Sequence, residues 1–168
     1  KSVQYALVKM GLQAPELKDL ECFIGPPLKT SFREFYGIEG EDAKKATAYY
    51  RERYSDVGKY ENMPYPGIKE LLKNLKAAGY ILAVASSKPE IYVEDILKHF
   101  ELYDYFHYVA GSDMEGKRGE KEDVIEEAFA RMGLGPEERK KTAVMVGDRH
   151  FDINGAKFFG IDSIGVTY

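Results

Sequence analysis

Hydrophobic residues in the first third of the chain recur at helical spacing. Val3, Leu7 and Met10 predict a helix that stops at Gly11. Further helices are predicted over residues 15–20, 28–36 and 41–54. The segment up to Asn62 shows no strand pattern, so we expect residues 1–62 to form a helical unit.

After Pro66-Gly67 the pattern changes to an alternation of helices and short apolar runs. The run 80–85 is typical of a strand that is buried on both faces. Strands are predicted over 80–85, 105–110, 142–146 and 163–166, and helices over 68–75, 89–100, 122–132 and 152–159. This alternation predicts an α/β fold for residues 63–168, a Rossmann-like parallel sheet with right-handed crossovers.

Composition excludes several classes of protein. The 168 residues carry a net charge of −4, which argues against a nucleic-acid partner. No apolar run is long enough to span a membrane, so we expect no membrane partner. The single cysteine, Cys22, cannot form an internal disulfide and is expected to be a small core residue. A cytoplasmic monomer is therefore expected.

Polar residues follow the predicted strands directly. Ser86 and Ser87 follow the first strand, a polar loop that leads to Lys121 follows the second, and Asp148 and Asp152 follow the third. Ligands of open parallel sheets bind beyond the carboxyl ends of the strands. The sequence therefore predicts one site that contains hydroxyls, an amine and two carboxylates.

The two serines lie at the predicted start of a helix. Ser87 and Glu90 have the spacing of a capping box, and Pro89 suits the first turn. This interpretation leaves Ser86 at a helix N-terminus, where backbone N–H groups bind phosphate. The alternative is that both serines only cap the helix.

Lys121 lies in or just before the first turn of its helix, where the helix dipole disfavours a cation. A phosphoryl-transfer site needs such a fixed cation. The alternative is a solvated loop lysine like the nearby Lys117.

Asp148 and Asp152 form the strongest signal. Gly147 allows a tight exit from the strand, and the spacing of four residues lets both carboxylates face one point. Two carboxylates, together with waters and a substrate phosphate, are the usual ligands of Mg²⁺. The alternative for Asp152 is a structural helix N-cap.

These segments resemble a known family. Ser86-Ser87-Lys88, the segment that begins with Lys121 and Gly147-Asp148-Arg149-His150-Phe151-Asp152 resemble motifs II, III and IV of the haloacid dehalogenase (HAD) superfamily. Pro64-Tyr65-Pro66-Gly67-Ile68 and Phe23-Ile24-Gly25-Pro26-Pro27-Leu28 are similar to its phosphoglycolate-phosphatase-like branch. The resemblance implies a HAD-like core, residues 63–168, with a helical cap domain, residues 1–62.

The resemblance also implies a Mg²⁺-dependent phosphatase that acts through a phosphoaspartyl intermediate on a small phosphorylated metabolite. By motif match, Ser86 binds the transferring phosphoryl group and Ser87 lies beside it. Lys121 neutralises negative charge, Asp148 ligates Mg²⁺, and Asp152 ligates Mg²⁺ or holds its waters. Lys29, in the cap loop, is the candidate to meet a second charge on the substrate, and the alternative is a solvated lysine at the start of a helix.

One family motif, Asp-x-Asp-Gly-Thr, does not occur in this chain. The family places it on a first core strand just before the position of Lys1 and continues its core beyond Tyr168. We therefore expect the chain to be part of a longer protein and to lack activity by itself. The missing strand normally lies between the strands that lead to Ser86 and Asp148. These two strands should consequently not pair, and a gap of roughly 10 Å should separate them.

Two other functions fit the same residues. One is a sugar phosphomutase, which the resemblance relates to the same core and cap. The other is a non-catalytic domain that binds a phosphate ligand, because the nucleophile is absent from this chain.

Overall fold

The computed structural model describes residues 1–114 and 118–167. The chain forms two compact units, Lys1–Met63 and Pro64–Tyr168. None of the described helices has the length and apolar character that a membrane-spanning segment requires.

The first unit is helical in its described structure. It contains α1 (Ser2–Lys9), α2 (Leu28–Tyr36) and α3 (Gly40–Tyr54), with 3₁₀ turns at Leu17–Phe23 and Gly58–Tyr60. Gly37 ends α2 in the left-handed conformation, with φ of 63°. The first of the 3₁₀ turns replaces the helix that the sequence predicted over 15–20.

A continuous apolar core holds the first unit together. Phe32, Leu7 and Ala46 are fully buried, and Phe23 packs edge-on against Phe32 with 5.2 Å between ring centroids. Cys22 packs against this cluster and is partly buried, and its Sγ donates to the Asp19 carbonyl at 3.4 Å.

An ion-pair cluster fastens the end of the first unit to its beginning. The Glu61 carboxylate accepts two hydrogen bonds of 2.7 Å from the Arg53 guanidinium and lies 3.2 Å from Lys1 Nζ. Arg53 also donates to the buried Ser2 hydroxyl at 3.1 Å. The Arg53 hydrogen bonds are the main reason that the pKa of Glu61 is lowered to about 2.

The stability of the first unit should therefore depend on pH through Glu61. Because its folded pKa, about 2, lies below the ordinary value of 4.5, its stabilisation is complete above pH 4.5 and is lost as pH falls toward 2. Glu61→Gln should lower the free energy of unfolding at pH 7 and have a smaller effect at pH 3. Denaturant titrations at both pH values measure this. In Glu41→Gln, which removes an 86% exposed carboxylate, little change is expected at either pH.

The second unit alternates helices and strands. Its elements are α4 (Ile68–Ala77), β1 (Ala83–Pro89), α5 (Glu90–His99), a 3₁₀ turn at Tyr103–Tyr105, β2 (Tyr108–Ser112), α6 (Lys121–Met132), α7 (Pro136–Thr142), β3 (Val144–Gly147), α8 (His150–Phe159) and β4 (Asp162–Gly165). All strand pairing in the described residues is parallel, as predicted for an α/β fold.

The strands form two separate pairs. β1 pairs with β2, and β3 pairs with β4, with Ser86 opposite Gly111 and Gly147 opposite Gly165. Within the described residues no ladder joins β1 to β3, so the predicted absence of direct pairing is confirmed. The width of the gap, roughly 10 Å for one intervening strand, stays a prediction.

The two strand pairs share a helical connection. α6 packs on β1 and β2, α8 packs on β3 and β4, and α6 contacts α8. Their shared core contains Ile125, Phe129, Ala156, Phe159 and Ile161. The rings of Phe129 and Phe159 meet edge-on at 5.6 Å, and the Arg139 guanidinium lies 4.6 Å from the Phe159 ring centroid. This packing fixes α6 and α8, the helices that carry Lys121 and Asp152.

The structure differs from three predictions for this unit. β1 begins at Ala83, and Ile81, within the predicted strand, is 60% exposed. β3 is not buried on both faces, since Val144 and Val146 are 53% and 59% exposed. The helix α7 was not predicted, although Pro136 at its first position and two glutamates in its first turn are typical helix-start signals.

Candidate active site

The Lys121 side chain contacts both β1 and α8. Lys121 is the first residue of α6, and its side chain is 13% exposed. Its Nζ donates to the carbonyl of Ala85, the residue before Ser86, at 3.0 Å and lies 2.8 Å from Asp152 Oδ1. The lysine therefore joins the end of β1 to the start of α8, and the alternative of a solvated loop lysine is wrong.

Asp152 is buried and holds two partners. Its Oδ1 pairs with Lys121, and its Oδ2 accepts the backbone N–H of Arg149 at 3.0 Å. Since α8 begins at His150, Asp152 is the third residue of the helix and caps it from within, rather than from the N-cap position that the sequence suggested. An anion in this first turn also stabilises the helix dipole.

Two glycines allow the side chains of Asp152 and Lys121 to lie close to the backbone. A β-carbon at Gly147 would lie 2.3 Å from the carboxyl carbon of Asp152, so only glycine fits at this strand end. A β-carbon at Gly155 would lie 2.6 Å from Ile125 Cδ1 and 3.1 Å from Lys121 Cγ. The sequence predicted a tight exit from the strand at Gly147. In the structure, the absence of a side chain there lets the Asp152 carboxylate lie against the backbone.

Asp148 is in a different environment. Its side chain is 46% exposed, and its Oδ2 lies 3.7 Å from Arg149 Nε. The described residues contain no group of three or more His, Cys, Asp or Glu side chains that could hold a metal ion. The two carboxylates are hard oxygen donors that fit Mg²⁺ as part of a ligand set. Asp148 is the accessible donor, whereas both oxygens of Asp152 already have partners.

Ser86 and Ser87 lie in an irregular part of β1. Ser86 pairs with Gly111 and Pro89 with Ser112, so residues 87 and 88 bulge out of the ladder between them. The Ser86 hydroxyl oxygen accepts the backbone N–H of Lys88 at 3.2 Å, which leaves its own hydrogen to donate. We call residues 86–88 the serine bulge. It is half-buried and adjoins the Ala85 carbonyl that Lys121 contacts.

The predicted capping box of Ser87 and Glu90 is wrong. α5 begins at Glu90, after Pro89, without a side-chain cap. The Glu90 carboxylate instead accepts the Gly111 N–H and hydrogen bonds from Arg131. Sequence reasoning assigned no role to Arg131 or Arg118, because their partners are far away along the chain.

The remaining predicted residues lie elsewhere. Lys29 is exposed in the first turn of α2, in the other compact unit. Lys117, the comparison lysine for Lys121, lies outside the described residues. The site residues that the structure brings together are therefore Lys121, Asp152 and the end of β1, with Asp148 at the neighbouring strand end.

Residues 1–166 match the family described as haloacid dehalogenase-like hydrolase. The chain belongs to this hydrolase family. The predicted resemblance is thereby confirmed for almost the whole length of the chain.

Two curated relatives of this hydrolase carry phosphatase names. A 5'-nucleotidase from Pseudomonas aeruginosa is 40% identical over 168 residues, 100% of this chain and 74% of the relative. A phosphoglycolate phosphatase from Vibrio vulnificus is 30% identical over 148 residues, 88% of this chain and 63% of the relative. A solved structure, a predicted phosphatase from Clostridium acetobutylicum, superposes with a TM-score of 0.91 at 44% identity, over 99% of this chain and 76% of that one.

A further relative has a different name. The tyrosine-protein kinase PtkA of Mycobacterium tuberculosis is 39% identical over 167 residues, and the chain spans 55% of its length. The family match and the phosphatase relatives confirm the predicted HAD-like α/β fold and the enzyme class, a phosphoric monoester hydrolase.

Proposed function

We propose that this hydrolase cleaves small phosphate monoesters with Mg²⁺, through a phosphoaspartyl intermediate. The observation that carries the proposal is the position of Lys121 Nζ, 3.0 Å from the Ala85 carbonyl and 2.8 Å from Asp152. A cation fixed at this point, beside the residue that precedes Ser86 and in contact with the Asp152 carboxylate, suits the charge of a transferring phosphoryl group.

Each described residue then has a role in the reaction. The Ser86 hydroxyl donates a hydrogen bond to a phosphoryl oxygen, with Ser87 beside it in the serine bulge. Lys121 neutralises charge on the equatorial oxygens, and Asp152 holds the lysine in place. Asp148 would ligate Mg²⁺ directly, and Asp152 would contribute through ordered waters. When bound, Mg²⁺ supplies charge stabilisation and orients the phosphate.

The covalent steps follow from the family resemblance. A carboxylate on a further core strand forms a bond to phosphorus while the bond to the leaving oxygen breaks, and an acid group protonates that oxygen. Water then attacks the phosphorus, and inorganic phosphate leaves as the carboxylate is restored. The two parallel strand pairs, which no ladder joins within the described residues, support the presence of such a strand between β1 and β3.

The test is a phosphate-release screen of the full-length protein with Mg²⁺. The panel contains phosphoglycolate, nucleoside monophosphates, sugar phosphates and a phosphotyrosine peptide. Release from a small metabolite that disappears on chelation supports the proposal. Release that is equal with and without Mg²⁺ contradicts the metal assignment. Conversion of a sugar phosphate to its isomer without free phosphate would show a phosphomutase, and binding without turnover a non-catalytic domain.

The first unit is proposed as the cap domain that selects the substrate. A depression of about 380 Å³ in this unit is lined by Lys29, Lys44, Thr47, Ala48 and Arg51. Three of these five residues are cationic and none is acidic, although Lys44 also pairs with Glu41 at 2.6 Å. This lining supports Lys29 as a contact for a second negative charge on the substrate.

Lys29→Ala should therefore raise KM for substrates with a second anionic group besides the phosphate more than for substrates without one. We expect a change of about two- to fivefold, because an exposed charge contact is worth on the order of 0.5–1 kcal/mol. Steady-state kinetics with phosphoglycolate and with a phosphate monoester that has no second charged group measure it. Lys45→Ala is the matched control, since Lys45 is exposed on the same helix as Lys44 but does not line the depression. Equal loss for both substrates would leave Lys29 a structural residue.

The same proposal describes the protein as a cytoplasmic monomer that acts on a small phosphorylated metabolite. The single cysteine supports a reducing compartment, and the net charge of −4 argues against a nucleic-acid partner.

A further inference from the structure

Glu90 connects three segments that meet behind the serine bulge. It is the first residue of α5, and its side chain is 27% exposed. Its Oε2 accepts the Gly111 N–H at 3.0 Å and lies 3.0 Å from Arg131 Nη2 and 3.5 Å from Arg118 Nη2. Its Oε1 accepts from Arg131 Nη1 at 3.0 Å. One carboxylate thus links β2, α6 and the segment that precedes α6.

Gly111 is the β2 residue directly opposite Ser86. Its N–H is held by Glu90, and its carbonyl accepts from Arg118 Nε at 2.9 Å. A β-carbon at Gly111 would lie 2.4 Å from Glu90 Cα, so the two backbones are in direct contact. The strand partner of Ser86 is therefore fixed by side chains where the regular ladder is interrupted.

The bulge itself has few backbone ladder contacts. It leaves the ladder after Ser86 and returns at Pro89, which has no N–H to donate. The side chain of the next residue, Glu90, accepts a hydrogen bond from the Gly111 N–H of β2. Residues 86–88 therefore lie between the Ser86–Gly111 pair at one end and Glu90, which contacts β2 again, at the other.

We propose that Glu90 is a positioning residue that holds the serine bulge in register with β2 and α6, and so sets the place of the Ser86 hydroxyl relative to Lys121. The inference rests on the proposed phosphatase function for its catalytic consequence. The hydrogen-bond network that carries it is independent of that function.

Electrostatics agree with this geometry. Burial alone raises the pKa of Glu90, but hydrogen bonds from Arg131 and Gly111 and the two guanidinium charges outweigh it, so the pKa is lowered. The carboxylate is thus held in its charged form, in which it accepts these bonds most strongly.

Glu127 offers a closely matched control. It lies 2.8 Å from Arg131 Nε and 3.2 Å from Arg118 Nη1, and its side chain is 30% exposed. It pairs with the same two arginines as Glu90, and within the described residues it accepts no hydrogen bond from a backbone N–H of β1 or β2. Glu90→Ala and Glu127→Ala therefore remove equivalent charges, but only the first removes the connection to Gly111.

The experiment compares these variants in the full-length protein by hydrogen exchange and kinetics. Glu90→Ala should speed amide exchange at Lys88 and Gly111 at least tenfold and lower kcat about tenfold, with a smaller change in KM. Glu127→Ala should leave the exchange rates and kcat nearly unchanged, although it should lower the thermal stability by a similar amount. Equal exchange and kcat in the two variants would overturn the proposal, because the role would then be general stability.

Two further outcomes are also decisive. If Glu90→Ala does not fold, Glu90→Gln keeps the size and should show smaller changes in the same direction; no change would count against the proposal. If the wild-type protein releases phosphate from no substrate, the proposed function fails. The exchange rate at Lys88, whose N–H donates to the Ser86 hydroxyl and not to Glu90, then decides alone whether Glu90 holds the bulge.

Discussion

Replacing Asp148 by asparagine is expected to abolish Mg²⁺-dependent phosphate release by the full-length protein while the fold survives. Asp148 follows β3 directly and presents the accessible carboxylate of the site. Asparagine keeps its shape but loses the charge that makes carboxylate oxygen a strong ligand for Mg²⁺. We expect turnover to fall by on the order of 1,000-fold, since metal-assisted charge stabilisation is worth several kcal/mol.

The fold should tolerate this change because the Asp148 side chain is 46% exposed. Its ion pair with Arg149, at 3.7 Å, contributes little to stability. Phosphate release across a Mg²⁺ titration and thermal unfolding together measure the two expectations. Asp162→Asn is the control, since Asp162 pairs with Val144 and therefore lies at the opposite end of the β3–β4 pair. Normal turnover in Asp148→Asn would show that the metal ligand has been assigned to the wrong residue.

Lys121→Ala should lower kcat by about 100- to 1,000-fold, the range for one lost electrostatic stabiliser. The lysine is mostly buried, at 13% exposure, and its ammonium group is fixed by the Ala85 carbonyl and Asp152. Its removal also leaves the Asp152 carboxylate without its cation, which should destabilise the fold by up to about 3–5 kcal/mol. Kinetics must therefore be measured at a temperature where circular dichroism shows a folded variant.

Lys157→Ala is the matched control for this substitution. Lys157 is exposed near the end of α8, the helix that carries Asp152. Its loss should change kcat by less than about twofold, because an exposed charge away from the reacting atoms contributes little. Similar kinetics for the two variants would mean that Lys121 serves only to join α6 to α8.

Local sequence determined most of the elements. Helical periodicity and left-handed glycines at Gly37, Gly133 and Gly160 predicted where α2, α6 and α8 end, since these signals act within a few residues. The order of strand-end polar residues also predicted the candidate site. Parallel strands place their carboxyl ends at one edge, so the positions of Ser86, Lys121 and Asp148 along the chain carried spatial information.

The partners of the charged side chains were decided by tertiary structure. The sequence assigned Glu90 to a local capping box, but its carboxylate binds Gly111 and Arg131, which lie 21 and 41 residues away. A capping box and the contacts with Gly111 and Arg131 would each supply hydrogen-bond donors to the carboxylate. The close packing of α5 against β2 at Gly111 determines which set forms. Asp152 was likewise predicted as a metal ligand or N-cap, whereas the contact of α6 with α8 gives it Lys121 as a partner.

The burial of the strands could not be predicted from the sequence either. Apolar runs predicted strands covered on both faces, yet Val144 and Val146 are more than half exposed, at 53% and 59%. A hydrophobic pattern indicates that a strand is apolar on both faces. Whether those faces are covered depends on which neighbouring elements pack against the strand. The sequence by itself therefore determined the family, the alternation of strands and helices after Gly67 and the place of most helices. Only the tertiary structure decided how the long charged side chains pair, because those pairs depend on distances between segments that are remote along the chain.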